Sequence, residues 1–272
     1  MALLTIENLN IVFHGKKKDS EVVTDVSLSV EKGECLCIVG ESGSGKTMTM
    51  KAAMGLLDHN FTIKGTAVLN GVDLLKAGKE TLRKMRGKNM TMVMQNPMVC
   101  FDRLYRIESQ MKETFQEHTD WNKAEIYTKS VEILEKMQIA NPKEVLRKYP
   151  HQLSGGMLQR IMIGIAIAMN PDVLIADEPT TAIDSITQYE IMKEFIRLKE
   201  MGITMIFITH DLGVASMVAD KIVVMNKGKI VDRGTFEEIK NNPKDDYTKA
   251  LVEQKLAVLK AFKANLGDVS HA

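Results

Sequence analysis

The chain of 272 residues has only three cysteines, Cys35, Cys37 and Cys100. An odd count without paired ligand spacing excludes a disulfide framework and a cysteine-based zinc site. Long apolar runs are missing too. The longest, residues 161–169, falls far short of the ~20 residues that cross a bilayer. Met1–Leu9 lacks the basic segment and apolar stretch of a signal peptide, so a cytoplasmic location is expected. Neither sign of charge prevails: 36 Lys and Arg against 35 Asp and Glu leave +1, which makes no electrostatic case for a nucleic-acid partner. There is no internal repeat and no low-complexity segment. What remains, 44% hydrophobic and 26% charged, is the composition of a globular protein with a substantial core.

The most informative stretch is Gly40-Glu41-Ser42-Gly43-Ser44-Gly45-Lys46-Thr47, a complete G-x-x-x-x-G-K-[ST] phosphate loop. Its glycines let the backbone curl so that successive N–H groups face a phosphate chain. Lys46 can reach the β- and γ-phosphates, and the Thr47 hydroxyl can ligate Mg²⁺. The flanks agree. Glu34–Val39 reads as a strand and Lys46–Leu57 as a helix whose N-terminus adds partial positive charge.

Further strands are expected at Leu3–Val12, Val22–Val30, a region ending at Met90–Gln95, Asp172–Ala176, Thr204–Thr209, Ile222–Asn226 and Ile230–Asp232. His14–Glu21 reads as a polar loop. Helical patterns run from Ile107 to Lys148, over Ile186–Met201 and over Asp246–Ala264. Ile161, Ile163, Ile165 and Ile167 alternate like a strand, yet the intervening small residues suit a buried helix, and periodicity alone does not decide. Strands alternating with helices, with a helical stretch between Met98 and Asn170, predict an α/β core carrying a helical insertion. The chain has 19 methionines. Met90, Met92 and Met94 share a strand face and Met50 and Met54 a helix face, so core packing is their expected role, as for Cys35 and Cys37.

Two more segments carry chemistry. Val173–Asp177 is an apolar strand ending in Asp177-Glu178. It can run beside the phosphate-loop strand and bring Asp177 to the Mg²⁺ shell, with Glu178 near the γ-phosphate to polarise a water. Leu153-Ser154-Gly155-Gly156-Met157 opens a helical run and reads as a second anion-binding helix start, with the Ser154 hydroxyl and the Gly155 and Gly156 amides exposed to a ligand. One nucleotide can need both elements without their converging in one subunit, in which case a partner supplies the second.

With these motifs in this order, the chain from about Leu3 to Leu251 resembles the nucleotide-binding subunits of ATP-binding cassette (ABC) transporters. The resemblance implies a P-loop NTPase fold. It comprises a RecA-like core, an N-terminal antiparallel β region and a helical subdomain at about 98–170, all within residues 1–245, followed by a helical extension at 246–272. It casts Gly40–Thr47 as the Walker A loop, Asp177 and Glu178 as Walker B aspartate and catalytic glutamate, and Ser154–Gly156 as the signature. Met157 stands where Gln is usual, but the serine and glycine amides that make the contacts are intact. The resemblance also makes Gln95 the Q-loop glutamine that senses Mg²⁺, Asp184 the D-loop aspartate (after Ile183 in place of Leu), His210 the switch histidine, and Phe13 the aromatic that stacks on adenine. ATP and Mg²⁺ are the implied cofactors. The implied partners are a second ATPase cassette, paralogous or identical, two membrane permease subunits and, indirectly, an extracytoplasmic solute-binding protein. The implied location is the cytoplasmic face of the membrane.

Three stretches resemble the peptide and nickel importer group: Met94–Pro97, Tyr149–Arg160 and Asn242–Leu251, the last with Asp245-Asp246 where His-Pro is usual. The lack of cysteine beyond Cys100 and the Met of Gly-Gly-Met resemble the nickel or metal-chelate importing ATPases. Nickel or metal-chelate import is therefore expected, with di- or oligopeptide import as the alternative. A soluble ABC ATPase acting on ribosomes or DNA fits less well, because those members carry paired cassettes or long coiled-coil insertions.

Overall fold

The computed structural model describes residues 2–180 and 185–254. Two sheets organise it. The first has four antiparallel strands in the order β2-β1-β4-β5, from β1 (Ala2–His14), β2 (Asp19–Glu31), β4 (Phe61–Leu69) and β5 (Val72–Asp73). The second has six strands in the order β10-β9-β3-β8-β7-β6: β3 (Cys35–Val39), β6 (Met90–Val93), β7 (Val173–Asp177), β8 (Thr204–Thr209), β9 (Lys221–Asn226) and β10 (Lys229–Gly234). All its neighbours run parallel except β10 on β9.

Strands β3, β7 and β8 are buried along their whole length, which is why they read as unbroken apolar runs. Their side chains alternate between two cores. Cys35, Cys37, Val39, Met205 and Phe207 face a helical core; Leu36, Ile38, Ile206 and Ile208 face a core shared with the antiparallel sheet. Met50, Met54 and Met90 are buried in the second core, as expected of packing residues.

The helices are α1 (Lys46–Ala53), α2 (Lys79–Met85), α3 (Pro97–Cys100), α4 (Ile107–His118), α5 (Lys123–Lys136), α6 (Pro142–Arg147), α7 (Gly155–Ala168), α8 (Ser185–Glu200), α9 (Leu212–Val218) and α10 (Phe236–Asn241). Five of them, α3 to α7, lie between β6 and β7. The isoleucine run is helical. Ser154 caps α7 by accepting the Met157 N–H, and the small residues pack inward. A Cβ on Gly164 would lie 2.7 Å from Ile133 Cγ2 and 2.8 Å from Met137 Cγ, so glycine lets α5 and α7 approach closely. Residues 246–254 form a last helix, with Thr248 and Val252 buried. None of the described helices is long and apolar enough to cross a membrane.

Three expectations change. The segment His14–Glu21 is not all loop: β2 begins at Asp19, whose carboxylate lies 3.0 Å from His14 Nδ1 across the hairpin. Strand β4 had no counterpart in the sequence reading. Gly65 breaks its alternation at φ +116°, where a Cβ would strike the Glu7 and Asn8 carbonyls at the β1 register shift. Finally, β7 does not run beside the phosphate-loop strand; β8 lies between β3 and β7.

Candidate functional site

All the parallel strands end at the same edge of the six-stranded sheet, so the turns after β3, β7 and β8 open together there. The turn after β3 is the phosphate loop. A Cβ on Gly40 would sit 2.2 Å from the Met225 carbonyl oxygen, so only glycine fits against the end of β9. Gly43 and Gly45 take φ +81° and +98°, which bends the chain into α1. The Gly228 N–H donates to the Ser44 carbonyl at 3.1 Å and ties the loop to the β9–β10 hairpin.

Lys46 is 4% exposed. Its ammonium donates to the Gly40 and Glu41 carbonyls at 2.7 and 2.8 Å and, at 3.4 Å, to Ser44 Oγ. Burial pushes its pKa down, while the charges of Glu178, Asp177 and Glu41 push it back up. Although β8 intervenes, Asp177 reaches the loop: Thr47 Oγ1 donates to Asp177 Oδ1 at 2.7 Å. Burial raises the Asp177 pKa, the Thr47 hydroxyl opposes this, and the Glu178 charge adds to it.

Glu178 follows in a left-handed conformation, φ +44°, with its N–H on the Ile208 carbonyl at 2.9 Å. Its carboxylate collects three elements. Gln95 Nε2 donates to Oε2 at 3.2 Å, His210 Nδ1 lies 3.3 Å from the same oxygen, and Lys46 Nζ lies 3.9 Å from Oε1. A cavity of about 160 Å³ is lined by Ser42, Gly43, Gly45, Lys46, Thr47, Met48, Gln95 and Glu178. Met48 is its one lining residue that no motif marks.

Not every expected site residue joins it. Ser154 and Gly155 are exposed at the start of α7, Gly156 follows half-buried, and none of the three lines this cavity. A Cβ on Gly155 would meet nothing within 4 Å, so its own chain does not require glycine there. Phe13, 37% exposed, packs against Phe61 in a tilted ring pair with centroids 5.1 Å apart at the end of β1, and does not line the cavity either. Asp184 lies outside the described residues.

The residues suit Mg²⁺ with a nucleotide. Thr47 and Asp177 pair a hydroxyl with a carboxylate, and no described cluster of three or more His, Cys, Asp or Glu could hold a metal alone. Mg²⁺ is commonly bound by one or two carboxylates together with substrate phosphates, which is what such a sparse set provides for.

Residues 23–181 match the family model described as ABC transporter. The metal-staphylopine import system ATP-binding protein CntD of Staphylococcus aureus is 41% identical over 271 residues, covering 99% of each chain. The dipeptide transport ATP-binding protein DppD of Lactococcus lactis is 41% identical over 254 residues, covering 92% of this chain and 73% of its own. Among solved structures, the dimeric bacterial ABC transporter cassette MJ0796 superposes with a TM-score of 0.76 at 25% identity, over 86% of this chain and 98% of its own. A second structure of that cassette, also dimeric, is a post-hydrolysis state bound to ADP and Pi. The chain has the fold of an ATP-binding cassette and belongs to the ABC transporter family.

Proposed function

We propose that this chain binds and hydrolyses ATP as one of two paired cassettes on the cytoplasmic face of a membrane, driving two permease subunits that import nickel or a metal chelate. The solute reaches them from an extracytoplasmic binding protein. The observation that carries the ATPase reading is that Lys46, Thr47, Gln95 and Glu178 line one cavity, with Asp177 bonded to Thr47 and His210 beside Glu178.

In this reading the Lys46 ammonium exchanges its carbonyl partners for the β- and γ-phosphates, and the loop amides of Glu41–Thr47 bind the phosphate oxygens. Thr47, Asp177 and Gln95 would hold Mg²⁺, which would neutralise charge on the phosphoryl oxygens. Glu178 orients water and accepts its proton, and His210 contacts the γ-phosphate. Phe13 stacks on adenine. Ser154, Gly155 and Gly156 serve the nucleotide held by the partner cassette, in keeping with the exposure of Ser154 and Gly155 and with the absence of all three from their own chain's cavity lining. Asp184 acts at the same junction. Closure of the pair pulls on the permeases near Gln95.

The metal reading is supported by relatives named for metal-staphylopine import, which match 99% of the chain. Peptide import is the second reading, because a dipeptide transport relative has the same 41% identity over 92% of the chain. Uptake of labelled nickel, alone and as its staphylopine complex, against labelled dipeptide in cells with and without this chain tests the substrate. Loss of metal uptake alone is the expected result; loss of dipeptide uptake alone would replace it with peptide import.

A further inference from the structure

The Asn242–Leu251 element has no part in the site as described so far, yet it touches the phosphate loop. The Glu41 N–H donates to the Tyr247 hydroxyl at 2.8 Å. We propose that Tyr247 is a positioning residue for the nucleotide site, holding the first turn of the phosphate loop through the Glu41 amide. The inference rests on the ATP-binding reading above.

The loop side of the contact is specific. The Glu41 carbonyl accepts from the Ser44 N–H at 3.2 Å and from Lys46 Nζ at 2.8 Å. The Tyr247 hydroxyl therefore anchors the N–H of the residue whose carbonyl holds the loop lysine. Glu41 itself is exposed, and the loop's other ties are made at Gly40 and Ser44.

The tyrosine side is rigid. Buried Asp232 on β10 accepts the Lys244 N–H at 2.7 Å and fixes the approach to the last helix. Asp245, which stands where the importer group has His, accepts the Tyr247 N–H at 2.9 Å and so caps that helix. Thr248 and Val252 are buried, and Tyr247 and Leu251 pack on the helical core. The phenol is thus held by a packed helix, and burial raises its pKa above the ordinary phenol value.

Tyr247→Phe keeps the ring and removes only the acceptor. Losing one net hydrogen bond corresponds to roughly a 2- to 10-fold change in an equilibrium constant. Equilibrium binding of a fluorescent ATP analogue to the full-length chain reads it, beside the thermal midpoint without nucleotide. The expected result is ATP affinity weakened about 2- to 10-fold with a midpoint lowered by no more than about a few degrees. Thr248→Val is the control in the same turn. Among the described residues its buried hydroxyl has no hydrogen-bond partner, so removing it should leave affinity as it is. Wild-type affinity in Tyr247→Phe, with binding still weakened in Lys46→Ala, would overturn the role of Tyr247 and leave the nucleotide site standing. Equal weakening in Thr248→Val would overturn it too, by making the effect one of helix packing. Absence of nucleotide binding by the unaltered protein would overturn the ATP reading itself.

Discussion

Thr47 Oγ1 donates a 2.7 Å hydrogen bond to Asp177 Oδ1 across 130 positions of sequence. Strand β3, which leads into the loop carrying Thr47, and β7 are not neighbours, since β8 lies between them. The contact exists because the phosphate loop bends over the sheet edge at which β7 also ends. It pairs two hard oxygens of the kind that hold Mg²⁺ together with substrate phosphates, and we propose them as its protein ligands. Thr47→Val keeps the side-chain volume and removes one of the two. Half-saturation of ATPase activity by Mg²⁺ should then move about 10-fold or more to higher concentration. A Mg²⁺ titration of the variant checks it, and an unmoved curve would take Thr47 out of the metal site.

Lys46 makes three hydrogen bonds inside its own loop. Lys46→Ala loses these as well as the phosphate partner. ATP binding should weaken and hydrolysis should disappear. Near-normal turnover in the purified variant complex would remove Lys46 from the site.

The close approach of α5 and α7 is a stability claim. Gly164→Val drives two methyl groups into Ile133 and Met137, and the rigid Ile133 branch cannot yield cheaply. Overpacking of this kind costs typically about 1–3 kcal/mol. Urea unfolding should show a lower midpoint with an unchanged slope. A midpoint equal to wild type would mean that α5 and α7 have room to spare.

Much of this was legible in sequence because it is local. The glycines, Lys46 and Thr47 lie in one octapeptide, and a fully buried parallel strand must be apolar throughout, so β3, β7 and β8 announce themselves. The isoleucine run was ambiguous because its alternating isoleucines suit a strand face and its small residues a packed helix; Ser154 caps a helix there, and Gly164 and Ala166 are buried. Strand β4 was hidden because Gly65 is needed for contact with β1, a partner that sequence pattern does not reveal. The order of β3, β8 and β7 was likewise hidden, since non-local pairing leaves no local mark. The same holds for Glu178, whose contacts with Gln95 and His210 come from two different strand ends.

The separation of Ser154 from its own chain's cavity predicts a shared site. Ser154→Arg puts a bulky charge at the exposed start of α7 and should block the partner's nucleotide while leaving binding by its own chain largely intact. In a mixed complex, Lys46→Ala and Ser154→Arg on different cassettes should damage one site and spare the other. On the same cassette they should damage both. Equal residual ATPase activity in the two arrangements, with each site able to turn over alone, would contradict sharing.

The central claim is that Glu178 drives hydrolysis between two cassettes. Glu178→Gln is nearly isosteric and cannot accept a proton, so hydrolysis should slow about 10²–10⁴-fold while ATP still binds. The direct measurement is sedimentation of this variant with Mg-ATP, alongside its turnover. The account predicts a stable dimer that forms only with nucleotide and hydrolyses it very slowly. A protein that stays monomeric with Mg-ATP and turns over at the wild-type rate would contradict it.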